Sequence, residues 1–266
     1  MLGKLVKYEL RATRRTMLPL YAALLVISFL TRLSTSYLSS RDHLANDGFA
    51  GLIAVILATL FVFLMLAVGF ITIFLMAQRF QKNLLGDEGY ISFTLPVTPG
   101  QNITAKLIVS IIWSFASILA DILAVMILTV QADFFRNLME LMRMLLEELT
   151  ARYAMHTTLW TLEGILLCVI SMAASILVVY ASIAVGHCFQ KHRIFMSFVA
   201  FLGFLVASQF ATYLLANIMM HIPMPNFDFI GSVHALLLSS ALGTGIYGGI
   251  FFCITNYTLT NRLNLE

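Results

Sequence analysis

The sequence predicts an all-α, polytopic membrane protein with six transmembrane helices, and three observations carry that expectation. First, 60% of the 266 residues are hydrophobic and 11% are charged, whereas soluble domains run about 45–50% apolar and about 25% charged. Second, the mean hydropathy is +0.92. A water-soluble globule has too much surface to cover to hide that much apolar side chain. Third, the apolar residues fall into six runs, and a helix crossing the hydrocarbon needs roughly 20 of them. Continuous runs indicate helices; a barrel strand would alternate. These features exclude a soluble enzyme, a nucleic-acid-binding module and a disordered regulator.

The elements follow in order. Residues 1–16 carry Leu2, Leu5, Val6, Leu10 and Thr13 at helical spacing, with Lys4, Lys7, Arg11, Arg14 and Arg15 mostly elsewhere on the wheel. That pattern predicts a helix lying on the inner leaflet, its basic face toward anionic headgroups. The spans are expected at 17–38, 50–77, 105–130, 158–185, 195–219 and 230–257. The basic start followed by an apolar run resembles a signal peptide in outline. No small-residue cleavage site follows, so the first span is expected to be retained. Between the third and fourth spans, residues 131–157 predict an amphipathic helix outside the membrane. Arg136–Glu140, Arg143–Glu147 and Glu148–Arg152 are i,i+4 pairs, and Phe135, Leu138, Met142, Leu145, Leu146 and Leu149 form an apolar stripe. No internal repeat or flexible linker divides the chain, so residues 1–266 are expected to form a single domain.

Orientation follows from the basic residues. With the N-terminus inside, the inner pieces hold Lys4, Lys7, Arg11, Arg14, Arg15, Arg79, Lys82, Lys106, Lys191, Arg193 and Arg262, which is 11 of the 16 Lys and Arg. Both termini are therefore expected in the cytoplasm. The net charge of +3 is too small to indicate a nucleic-acid partner. The three cysteines make no disulfide framework.

The connection 79–106, RFQKNLLGDEGYISFTLPVTPGQNITAK, is longer than a hairpin of spans requires. It mixes Arg79, Lys82, Asp87 and Glu88 with Leu84, Leu85, Tyr90, Phe93 and Leu95. Large apolar groups in a cytosolic connection need cover. Gly86 and Gly89 permit tight turns, and Pro96 and Pro99 stop a helix running on. Two readings are open: a surface-lying or re-entrant loop, and a docking element for another protein.

The segment LGDEGYISFTLPVTPGQNITAKL resembles the cytoplasmic coupling region of small bacterial permeases of the type-2 ABC exporter class. The opening LVKYELRATRR and the ending TNYTLTNRLNLE are similar to that group's amphipathic entry helix and short basic tail. The most specific piece is Glu88-Gly89-Tyr90 followed by Thr94-Leu95-Pro96. The resemblance implies a permease domain in the bacterial cytoplasmic membrane, paired with a second copy or a homologous permease, and seated on cytoplasmic ABC ATPase subunits. ATP and Mg would be bound by the ATPase, and no cofactor by this chain. The ATPase contact would comprise Leu85, Gly86, Asp87, Glu88, Gly89, Tyr90, Thr94, Leu95 and Pro96, with Glu88 a polar anchor. The shorter inner connection from Gly186 to Arg193 would be the second contact. One departure is plain. Many members carry re-entrant helices between the last two spans, while here that connection is only Met220 to Phe229.

No lysine is followed by Ser or Thr, so the phosphate-cradling loop of an ATPase is missing. Hydrolysis is expected on a separate chain, with none of this chain's residues catalytic. The substrate class implied is a peptide, a lipid or an amphipathic drug-like molecule.

Ionisable residues inside a span are costly and stand as functional candidates. Asp121, in the outer half of the third span, either lines a translocation path or pairs with Arg32 or a neighbouring Ser, Thr or Asn. Arg32 either pairs or snorkels to the interface. Gln209 and Asn217 read as helix–helix hydrogen-bonding groups that could also face a path. Glu163 and His234 read as interfacial residues near the outer ends of their spans. Gly245-x-x-x-Gly249 has close-approach spacing. His187, Cys188 and His192 lie on different faces, and no metal site is expected from them. Glu147-Glu148-x-x-x-Arg152 matches one motif of a class of intramembrane proteases, but in a charged helix where an ion pair explains it. The alternative to the permease is therefore a stand-alone membrane protein, either such a protease or a peptide-binding or immunity protein.

Overall fold

The computed structural model describes residues 2–39, 48–86, 97–129, 133–189, 191–221 and 228–261. These residues form helices α1 (Leu2–Ser39), α2 (Gly48–Phe80), α3 (Pro99–Thr129), α4 (Asp133–Gly186), α5 (Arg193–His221) and α6 (Phe229–Asn261). A π-helical turn, Gln81–Leu85, extends α2. There is no strand among the described residues. Six helical stretches, Leu2–Leu38, Phe49–Leu85, Pro99–Thr129, His156–Gly186, Arg193–Leu214 and Phe229–Asn261, are long and apolar enough to cross a membrane. The protein is a multi-pass, all-α membrane protein.

The spans start and stop where apolar runs do, because a backbone in hydrocarbon must satisfy its own hydrogen bonds. Two elements differ from expectation in their continuity. The entry segment and the first span form one helix, which passes through Pro19. Thr13 and Met17 explain this. Both are buried, and Thr13 accepts from Trp113 of α3, so the join between the two segments is packed. The amphipathic stretch before the fourth span likewise runs on into it. A single non-helical residue, Tyr153 (φ −133°, ψ 16°), separates the two parts of α4.

The chain divides into two compact units. One, here the first unit, comprises Met1–Leu5, Met76–Ile111 and Tyr153–Glu266; the second comprises Val6–Leu75 and Ile112–Arg152.

The core of the first unit gathers Phe80, Leu84 and Leu85 from the end of α2, Ile103 from α3, Leu177, Val178, Tyr180 and Ala181 from α4, and Phe251 and Leu259 from α6. Tyr180 is its centre. Its ring stacks on Phe80 at 4.1 Å and 9°, and its hydroxyl lies 2.7 Å from Ser110 Oγ. Ser110 in turn donates to Lys106 O at 2.8 Å. The close approach of α6 to α4 uses Gly248, where an added Cβ would sit 3.3 Å from Ala174 Cβ. Gly249 has no neighbour within 4 Å, and Gly245 only reaches Ile170 at 4.0 Å. The small-residue contact thus lies at a glycine between the two of the G-x-x-x-G pair. In the most apolar window of α5 no residue is buried.

In the second unit, Leu24 of α1, Phe61 and Val68 of α2, and Ala120 and Ala124 of α3 form the core. The alanines let α3 come close enough for the larger side chains to interlock. A chain of hydroxyls crosses this unit. Thr72 donates to Val68 O at 2.6 Å, so in its 2.7 Å contact with Ser117 the serine donates. Tyr21 OH then donates to Ser117 at 2.8 Å. Trp113 Nε1 donates to Thr13 Oγ1 at 2.7 Å, and Thr13 donates to Glu9 O at 2.9 Å. Returning hydroxyl protons to the preceding turn of helix is how Ser and Thr satisfy themselves in apolar surroundings.

Candidate functional site

The first unit contains a groove of about 1120 Å³ at the ends of α2, α4 and α5. Three local departures from regular helix build it. The π-turn at Gln81–Leu85 ends α2, and Gly86 leaves it in an extended conformation (φ −97°, ψ −168°). Such turns insert one extra residue and recur at functional sites. Opposite, α4 ends at Gly186, whose hydrogen points at Ser197 of α5. A Cβ there would collide with the Ser197 backbone N, Cα and Oγ. Finally, His192 adopts φ 58°, a left-handed conformation uncommon without glycine. Its carbonyl accepts from Met196 N at 2.9 Å and so opens α5.

Lys82 and Arg193 give the wall positive character, beside His187, His192 and the exposed Ile194, Phe195 and Phe198. No Asp or Glu is among the described lining residues. His187 Nδ1 is 2.8 Å from Ile183 O. A carbonyl only accepts, so Nδ1 carries the hydrogen and Nε2 accepts from Gln81 Nε2 at 3.3 Å. Burial lowers the His187 pKa from its ordinary value; the Ile183 hydrogen bond opposes this, and the nearby Arg193 charge adds to it. His187 is thus a neutral, oriented group in a basic setting.

The sequence-predicted residues are distributed unevenly. Leu85 is buried in the core, and Gly86 lines the groove. Asp87, Glu88, Gly89, Tyr90, Thr94, Leu95 and Pro96 lie outside the described residues. The connection from Gly186 to Arg193 meets Leu85 and Gly86 at this groove. The sequence marked both connections, but neither Gln81 nor its partner His187 as a pair. Gly186, next to a six-residue connection, was the signal that could have pointed to close approach.

The intramembrane candidates do not converge. Asp121 Oδ1 is buried without a hydrogen-bond partner, and no ion pair joins it to Arg32. The two positions fall on α3 and α1, and no ion pair between them is present among the described residues. Gln209 is exposed. Asn217 donates to Tyr213 O of its own helix at 2.9 Å. In the charged part of α4, Arg143 pairs with Glu147 at 2.7 Å and Arg152 with Glu148 at 3.3 Å, all on exposed side chains. The carboxylates of the protease-like motif are thus engaged as surface ion pairs. No three His, Cys, Asp or Glu side chains converge on a metal-sized site among the described residues.

Comparison with known protein families, with curated proteins and with solved structures finds no match to this chain.

Proposed function

We propose that this chain is the membrane subunit of an ATP-driven exporter of the ABC class, and that the groove flanks the place where a separate ATPase engages it. One observation carries the reading. Leu85 and Gly86, the described start of the first connection that the resemblance assigns to the ATPase contact, and His187, His192 and Arg193 of the second line a single groove. Beside it the core of the first unit is buried: Phe80 stacks on Tyr180 and shares one cluster with Leu84 and Leu85. A push on the connection after Gly86 would therefore reach α4 through side-chain contacts, as a coupling element requires. The chain itself does no chemistry in this reading. Closure of two ATPase subunits shifts the population between two packings, and a peptide, lipid or amphipathic drug-like substrate moves outward. The permease works as a pair, with both termini in the cytoplasm of a bacterial cell.

The test is co-purification of the full chain with a candidate ABC ATPase subunit, and ATP turnover by the complex in nanodiscs. Reversing Lys82 and Arg193 to Glu should weaken association while the fold survives. Changing Glu88 and Tyr90 should uncouple turnover from transport. Association and transport unaffected by all four changes would defeat the docking assignment. A chain active with no ATPase would defeat the permease.

A further inference from the structure

The groove of the first unit lies where candidate spans end. Gln81 and Lys82 fall in the last turns of the stretch Phe49–Leu85, His187 follows the stretch that ends at Gly186, and Arg193 opens the stretch Arg193–Leu214. The ends of spans lie at headgroup level, because their apolar runs match the hydrocarbon thickness.

One part of the groove is cationic. Lys82 lines it from the π-turn and Arg193 from the start of α5. Both also interact within the chain, but an ammonium and a guanidinium each carry several donors, so an added anion can share them. Gln78 and Gln81 add amide groups, and no Asp or Glu is among the described lining residues. The other part is apolar. Phe195 and Phe198 are exposed, and the exposed face runs on through Leu202 and Leu205. Steps of three and four residues keep these side chains on one side of α5, along about 15 Å of helix. In the most apolar window of α5 no residue is buried.

A cationic end joined to an apolar track matches an amphiphile with an anionic head. A soluble anion needs only the first part, and an uncharged lipid only the second. A zwitterionic head would bring its own ammonium beside Lys82 and Arg193, with no described carboxylate in the lining to receive it. We infer that the groove binds an anionic phospholipid: Lys82 and Arg193 take the phosphate, and an acyl chain lies along Phe195, Phe198 and Leu202. Basic pockets between spans receive such headgroups. The inference needs only these helices in a membrane and does not rest on the permease reading. It is tested on the chain alone, with no ATPase present, so either can fail without the other.

The experiment uses the full chain in phosphatidylcholine nanodiscs, with its three cysteines replaced by serine. A bimane fluorophore is attached at Leu202→Cys, an exposed position. Brominated phosphatidylglycerol, or brominated phosphatidylcholine with the same chains, is added at increasing mole fraction and quenching is read. Half-maximal quenching by phosphatidylglycerol should need a mole fraction about thirtyfold lower, from about fivefold for each basic residue. Lys82→Gln and Arg193→Gln should each lose about fivefold of this preference, and the double variant should respond alike to both lipids. Lys82→Arg keeps the charge and should keep the preference. Lys4→Gln with Lys7→Gln removes as much charge from exposed positions outside the groove and should match the parent. Inorganic phosphate in the buffer should leave the quenching unchanged, and helical circular dichroism should be the same throughout. Equal quenching by the two lipids in the parent would leave the groove to a protein surface and overturn the inference. So would an undiminished preference in the Lys82→Gln, Arg193→Gln double variant, or an equal loss in the Lys4→Gln, Lys7→Gln control. Displacement by inorganic phosphate would make the occupant a soluble anion and overturn it too.

Discussion

Replacing Gly186 with alanine tests the helix junction that frames the groove. The added Cβ would fall on the backbone N and Cα of Ser197 as well as on its Oγ. A flexible side chain could rotate away, but backbone atoms cannot. Carbon atoms rest about 3.5–4.0 Å apart, so the first turn of α5 would have to retreat by roughly 1 Å. Overpacking of this kind costs about 1–3 kcal/mol. The assay is denaturant unfolding in detergent, alongside Gly203→Ala and Gly249→Ala. Those glycines have no neighbour within 4 Å of the new Cβ. Alanine there should be neutral, or stabilising by up to about 1 kcal/mol, from helix propensity alone. Adding Ser197→Gly to Gly186→Ala removes only the hydroxymethyl contact and should restore little. Parent-like stability of Gly186→Ala, or full rescue by Ser197→Gly, would refute the backbone-on-backbone contact.

Other expectations follow from single contacts. Tyr180→Phe leaves the Phe80 stack but removes the hydroxyl from Ser110, so it should cost about 1 kcal/mol in the same unfolding assay. His192→Gly relieves the left-handed φ and should stabilise by about 1 kcal/mol, seen as a higher melting temperature. His187 has a folded pKa below its unfolded value. As pH falls below the ordinary histidine range, the unfolded chain binds more protons and stability is lost. The loss is complete once pH is below the folded value. Comparing unfolding midpoints against pH for the parent and His187→Asn should show a steeper acid loss in the parent.

The sequence was most legible where interactions are local. Each span reads directly, because hydrophobic runs must be as long as the membrane is thick. Arg143–Glu147 and Glu148–Arg152 read correctly for a similar reason: four residues along a helix bring two side chains to one face. Long-range partners were not legible. Glu163 and His234 are 71 residues apart in sequence, and nothing in spacing says that the part of α4 after Tyr153 lies beside the start of α6. Asp121 was offered Arg32 on grounds of charge, yet the packing of α1 and α3 is decided by Leu24, Ala120 and Ala124. Within the chain the close glycine contact falls at Gly248 and not at the G-x-x-x-G pair, because which face of α6 meets α4 depends on Ala174 and Leu177. The groove needs three irregular backbone features at once, and periodicity sees only regular ones.

The π-turn of α2 has the geometry of a phase absorber. An α-helix advances about 100° per residue, and a π-turn accommodates one residue more than the α-helical path would. Deleting one residue within Gln81–Leu85 should let the turn relax to α-helix with little change in the helix before it. The chain would then leave at Gly86 on much the same bearing, whereas the same deletion in the regular helix before it, with the π-turn kept, would swing that bearing by about a third of a revolution. The bearing of the connection is thus encoded by a residue count, and every side chain in it could be retained while its aim is lost.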